Sequence, residues 1–337
     1  MSLAIPKDSV VLVTGATGYI GSWIAHEFVK QGYRVRAAAR NQEKATLLKS
    51  VLEKQYGSNR VEIALISDMT DPHAYDEAIK GVSAVVHVAS DVSFSTDAET
   101  VIGNVVASTQ NVLRLAAKEP TIKRFVLTSS SVSVSLPVFD QDITYGPNVW
   151  NDKVVEKVRN AASSESNTPF DVYAASKTVG ERSLWEFVEK EKPSFVVNTV
   201  LPDFTIGPAL HKDLAGSTHN WLRGLYNGEE ASTQLLMGEL SQHWWVNVED
   251  IARLHVGGTI LEDVKGKRLL GYAQKYAVNQ FLDTMHEMDP GRKLPEKIQL
   301  KDDRSKVDAR ESLLVLKGLG RDGWTGYDET LKANLGY

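Results

Sequence analysis

The 337-residue chain contains no cysteine. That absence excludes a disulfide scaffold, a thiolate zinc site, an iron–sulfur cluster and a cysteine nucleophile together. An excess of one charge is lacking too, since 38 basic against 43 acidic side chains leave a formal charge of −5. A chain so balanced is not built mainly to hold nucleic acid or an anionic membrane. No apolar run approaches the roughly 18 residues of a membrane span. Met1 to Ser9 lacks the basic-then-apolar layout of a signal peptide. The eight histidines are scattered, with no ligand spacing among them, so no metal site is expected. What remains is a cytoplasmic globular protein, 42% hydrophobic, long enough for one large α/β domain and a smaller lobe.

What is present alternates. Apolar runs at Val10–Thr14, Arg34–Ala39, Val61–Ile66, Ala84–Val88 and Phe125–Ser129 have buried-strand length. Helical windows separate them at Tyr19–Gln31, Gln42–Gln55, Asp71–Lys80 and Ala98–Lys118, and Ala45, Leu48 and Leu52 mark the apolar face of the second. This order predicts an α/β fold with a doubly wound parallel sheet, the Rossmann arrangement. A helix over Tyr173–Glu191 and a strand over Phe195–Leu201 extend it. Past Pro202 the period is lost until a short strand at Val246–Asp250, a helix to about Leu261 and a strand at Arg268–Tyr272. Three more helices are expected near Val278–Met288, Ser312–Gly318 and Tyr327–Asn334. The expected division is a dinucleotide-binding domain at 1–204, continued by 243–273. A mostly helical substrate lobe takes 205–242 and 274–337.

The first strand runs into Gly15-Ala16-Thr17-Gly18-Tyr19-Ile20-Gly21, a G-x-x-G-x-x-G turn opening a helix. Gly15 permits the tight turn, Gly18 lets backbone approach a pyrophosphate, and Gly21 lets helix pack on strand. The helix N-terminus then offers free N–H groups to the phosphates. The second strand ends in Ala39-Arg40, where an acidic residue would hold the adenosine ribose of NADH. An arginine suits a 2′-phosphate instead, and Lys44, one helical turn on, adds charge, so NADPH is the expected cofactor.

Tyr173-Ala174-Ala175-Ser176-Lys177 sets a tyrosine and a lysine on one helix face. A free phenol titrates near 10, and a neighbouring ammonium is expected to lower that and make an acid/base pair. Upstream, Thr128-Ser129-Ser130-Ser131 closes the fifth strand, at the carboxyl edge where ligands gather in open α/β sheets. Two short basic clusters, Lys123-Arg124 and Lys265-Gly266-Lys267-Arg268, read as solvated strand starts.

Taken together, the glycine turn, Thr128-Ser129-Ser130 and Tyr173-x-x-x-Lys177 resemble the extended short-chain dehydrogenase/reductases over nearly the whole chain. The likeness is strongest to fungal NADPH-dependent aldehyde and ketone reductases and dihydroflavonol 4-reductases, through stretches such as Val92-Ser93-Phe94-Ser95, Gly207-Pro208 and Gly216-Ser217-Thr218. The resemblance implies reduction of a small carbonyl compound to the alcohol. Tyr173 would donate the proton, Lys177 would bind the nicotinamide ribose, and Ser130 would hold the carbonyl oxygen. The run of three serines leaves Ser129 and Ser131 open for that last role. The same likeness puts Thr17, Tyr19, Ile20, Asp68, Met69, Val88, Ala89, Ser90, Thr128, Pro202 and Phe204 along the cofactor. Substrate contacts are expected from Phe94, Trp221, Met237 and Trp244, with Trp245 a further option; such a wall favours aryl or alkyl substituents. Two positions depart from the family. Only Trp150 remains of its Asp-Glu-x-x-Trp, and Val105 stands where its fourth helix often has asparagine. The rival readings are a sugar-nucleotide epimerase or dehydratase of the same fold and a silent NADPH-binding regulator. A monomer or homodimer is expected.

Overall fold

The computed structural model describes residues 2–163 and 166–336. Its first half comprises β1 (Val10–Thr14), α1 (Tyr19–Lys30), β2 (Arg34–Ala39), α2 (Gln42–Tyr56), β3 (Val61–Leu65), β4 (Ala84–His87), α3 (Ala98–Lys118) and β5 (Arg124–Thr128). The middle holds β6 (Thr144–Tyr145), α4 (Asp152–Arg159), α5 (Pro169–Glu191), β7 (Val196–Pro202), β8 (Phe204–Ile206), α6 (Ser217–Asn227) and α7 (Glu230–Met237). The remainder is β9 (Gln242–Asn247), α8 (Val248–Ile260), β10 (Arg268–Gly271), β11 (Gln274–Ala277), α9 (Val278–Met288), β12 (Lys306–Val307), α10 (Arg310–Gly318) and α11 (Tyr327–Leu335). Among the described residues no helix is long and apolar enough to cross a membrane.

Every residue of β1, β4 and β5 is buried. Strands covered on both faces belong to a parallel sheet, and seven pair in parallel in the order β10-β7-β5-β4-β1-β2-β3. The chain runs outward from β1 to β3, then crosses back and runs outward again from β4. The switch between β1 and β4 opens a crevice at the carboxyl ends of the strands, where such sheets hold ligands. A second core, built by Phe204, Leu222, Trp245, Tyr276, Phe281 and Leu331, caps that edge. Its small sheet, β11-β9-β8, stands apart from the large one.

Some elements differ from the sequence reading. The expected helix at Asp71–Lys80 is a chain of turns, with Ala74 and Asp76 amides bonding back three residues, to Asp71 and His73. Tyr75 and Ala78 still bury, because a three-residue spacing satisfies tight turns as well as a helix. The strand expected at Val246–Asp250 instead spans Gln242–Asn247, since the Asn247 side chain accepts from the Glu249 amide at 2.7 Å and starts α8 at Val248. α5 begins at Pro169, before Tyr173, on a capping box between Thr168 and Asp171. α4 has no counterpart in the sequence reading, and α6 and α7 fall in the lobe expected to be mostly helical but without any bounds given.

The glycine turn is tight enough to test. A Cβ on Gly21 would lie 2.2 Å from the Gly15 carbonyl oxygen, a backbone atom with nowhere to go. Gly21→Ala should cost about 1–3 kcal/mol of stability and weaken nucleotide binding. Gly103→Ala, where a Cβ meets nothing within 4 Å, should do neither. Thermal melting and a nucleotide titration of both variants check this.

Candidate active site

The site begins with Thr14. Its hydroxyl oxygen accepts from the Val88 and Ala89 amides, each at 3.0 Å, and its proton can go to His87 Nδ1 at 2.8 Å. These bonds stitch the end of β1 to the end of β4 and draw the two backbones together. Gly15, at φ +61°, then approaches so closely that a Cβ would sit 2.9 Å from the Ala89 nitrogen. α1 starts from Gly18 with no side chain capping it, so its first N–H groups stay available. A cradle that only glycine backbone can floor, under an uncapped helix end, fits a dinucleotide pyrophosphate.

A cavity of about 900 Å3 opens over this floor, and Gly15, Thr17, Gly18, Tyr19, Ile20 and Gly21 all line it. At one end it reaches Arg40, Lys44 and Met69; along its length lie Val88, Ala89, Ser90 and Thr128; at the other end are Pro202 and Phe204. The Tyr19 hydroxyl is already spent on the Gly207 carbonyl at 2.9 Å, tying α1 to the lobe. Asp68 is not on the wall. Its exposed carboxylate turns back to the Thr70 hydroxyl and amide, at 2.6 and 2.8 Å, and these bonds hold its pKa low.

Tyr173 and Lys177 project into the cavity from α5. Lys177 Nζ donates to the Thr128 carbonyl at 2.9 Å and lies 3.5 Å from the Ser90 hydroxyl. Burial pushes the Lys177 pKa down to about 8, against an opposing pull from Glu181. Burial likewise raises the Tyr173 phenol above its ordinary value; a hydrogen bond with Ser130 opposes this and Asp203 adds to it. The sequence reading expected Lys177 to lower that phenol. Burial raises it instead, and Lys177 is not among the groups that shift it; its ammonium is directed at the Thr128 carbonyl. The three serines also separate. Ser129 gives its hydroxyl to Glu181 at 2.7 Å, whereas Ser130 faces Tyr173.

Around Tyr173 the wall is aromatic, with the Phe94 ring 5.2 Å and the Phe170 ring 6.1 Å from it, and Trp221 6.1 Å from Phe94. Phe94 adopts φ +53°, a left-handed conformation that packing must sustain. Phe94 and Trp221 line the cavity as expected from sequence, but Met237 and Trp244 do not. Met237 packs on the lobe core. Trp244 faces away, donating to Ser305 at 2.9 Å, because side chains alternate along β9 and His243 takes the cavity side. Trp245 is 1% exposed within the lobe core. Phe170, Leu240, His243 and Tyr276 were missed. The run Gln242-His243-Trp244-Trp245-Val246 carries the alternation that could have found His243, had the strand been started early enough. Arg124 and Arg268, read as solvated, are 5% and 8% exposed.

A family model described as NAD dependent epimerase/dehydratase family matches residues 11–267. The chain is 38% identical over 331 residues to the NAD-dependent epimerase/dehydratase terH of Aspergillus terreus, covering 98% of this chain and 96% of that one. It is 37% identical over 335 residues to aldehyde reductase 2 of Sporidiobolus salmonicolor, with the same coverage. The crystal structure of the yeast methylglyoxal/isovaleraldehyde reductase Gre2 complexed with NADPH shares the fold, at a TM-score of 0.80 and 22% identity over 97% of each chain.

Proposed function

The chain belongs to the NAD dependent epimerase/dehydratase family, and from that premise we propose that it reduces an aldehyde or ketone to the alcohol with NADPH. The observation that carries the reading is the meeting of Ser130, Tyr173 and Lys177 in the cavity floored by the glycine turn. Gly15, Gly18 and Gly21 would cradle the pyrophosphate, and exposed Arg40 and Lys44 stand where a 2′-phosphate would need them. When bound, NADPH supplies the hydride. Ser130 would hold the carbonyl oxygen by a hydrogen bond. Tyr173 would give that oxygen its proton, since its phenol is protonated at neutral pH and lies beside Ser130. Lys177, buried and charged, would hold a ribose hydroxyl and stabilise the negative charge left on Tyr173.

The aromatic wall favours a carbonyl with an aryl or alkyl substituent. A sugar nucleotide would need cationic side chains for its diphosphate on the substrate side of the cavity. Arg223, on α6, instead points to the Leu335 carbonyl at 3.4 Å.

The test is loss of NADPH near-ultraviolet absorbance on mixing protein and NADPH with aryl ketones, aldehydes and β-keto esters. Consumption with at least one class is expected. Protein that consumes none, and carries NAD through gel filtration, would instead be an epimerase or dehydratase.

The pH profile follows from Lys177. Its ammonium is present below about 8 and lost above it, so kcat/KM for reduction should fall as pH rises through that value. A rate that stays flat between about pH 7 and 9 would remove Lys177 from the mechanism.

A further inference from the structure

Glu181 lies on α5 one turn beyond Lys177 and two beyond Tyr173, with its side chain wholly buried. Its oxygens accept from the Ser129 hydroxyl at 2.7 Å, the Thr199 hydroxyl at 2.8 Å, and Arg268 Nε and Nη2 at 2.8 and 3.1 Å. Arg268 gives Nη1 to the Pro147 and Val149 carbonyls at 2.7 and 2.8 Å and lies 3.8 Å from the Trp150 ring centre. Two opposite charges are thus withdrawn from water, and these bonds offset the desolvation. An apolar pair of similar volume often serves stability equally well. The informative feature is therefore where this pair sits.

The end of β5 meets α5 at three consecutive residues. The Thr128 carbonyl accepts from Lys177, the Ser129 hydroxyl donates to Glu181, and the Ser130 hydroxyl lies beside the Tyr173 phenol and lowers its pKa. Neighbouring hydroxyls compete for partners, and a Ser129 without Glu181 keeps only the Ser133 hydroxyl, at 2.9 Å, and can turn toward it, dragging the strand end. We propose that Glu181 is a positioning residue. By holding Ser129, it sets Ser130 against Tyr173 and the Thr128 carbonyl against Lys177. This inference rests on the reductase reading above.

Glu181 also acts through charge, since it opposes the effect of burial on Lys177. The other titratable groups on the elements around Lys177 are Tyr173 on α5, Arg268 on β10 behind Glu181, and His87 on β4. Burial, with Lys177 adding to it, pushes His87 down to about 3 and keeps it neutral.

Three variants of the full chain, saturated with NADPH, test the proposal. Glu181→Gln should lower kcat about 10- to 100-fold, the scale of a small misplacement in a site, with NADPH affinity within about threefold of wild type. Its upper pH limb should move to lower pH, because the charge supporting the ammonium is gone. Glu181→Asp should recover part of both changes. The double variant Glu181→Leu/Arg268→Met removes both members of the ion pair, so it should melt near the wild-type temperature, with Lys177 free to lose its proton, and still lose kcat; if it does not fold, the two single variants decide. The proposal is overturned if Glu181→Gln or the double variant keeps kcat within about threefold and its pH limb in place. It is equally overturned if kcat falls only with the folded fraction. A wild type that reduces no carbonyl removes the reductase reading, and this inference with it. Indifferent variants of an active wild type remove this inference alone.

Discussion

Tyr173→Phe should lower kcat by about 10²- to 10⁴-fold, the usual contribution of a positioned general acid, while NADPH affinity stays within about twofold of wild type. Phenylalanine keeps the ring that packs against Phe94 and Phe170, so the wall keeps its shape. Only the hydroxyl that Ser130 meets is removed. Single-turnover rates, together with a fluorescence titration of NADPH, separate chemistry from binding. A variant as fast as wild type would mean that the proton comes from elsewhere.

Arg40→Asp should weaken NADPH binding by about 10²-fold, since a hydrogen bond to a charged group contributes about 1.5–3 kcal/mol and the new carboxylate would repel the phosphate. NADH has no 2′-phosphate, and an acidic residue there can accept from its ribose. Its affinity should hold or improve. Parallel titrations with both cofactors give the answer, and equal losses for the two would withdraw Arg40 from the 2′-phosphate site.

The glycine turn and the Tyr173–Lys177 pair are legible in sequence because each is a local rule. One needs backbone without Cβ at three spaced positions, the other needs two side chains one helical turn apart. The strands were legible for a similar reason, since burial on both faces forces a continuous apolar run, as in β1. The lobe was harder. Its helices α6 and α7 are short, and its core joins Leu222, Trp245, Phe281 and Leu331 from distant parts of the chain. No local period records such a meeting.

Charge misled in an instructive way. Arg268 sits in a basic cluster and reads as solvated. Yet Glu181, 87 residues earlier, accepts from it across the fold. Trp150 shows the same dependence, for its ring carries Arg268 at 3.8 Å and Arg182 at 4.6 Å, both distant in sequence.

Sequence alone therefore determined the fold class, the glycine turn and the tyrosine and lysine that share one face of α5, because those properties follow from spacing along the chain. Tertiary structure decided which serine faces Tyr173, since Ser129, Ser130 and Ser131 are chemically identical and only partners brought in by the fold, such as Glu181 for Ser129, set them apart. It also decided that the Tyr173 phenol titrates above its ordinary value rather than below it. Desolvation is a property of the surroundings, and the surroundings exist only once α5, β5 and the lobe have come together.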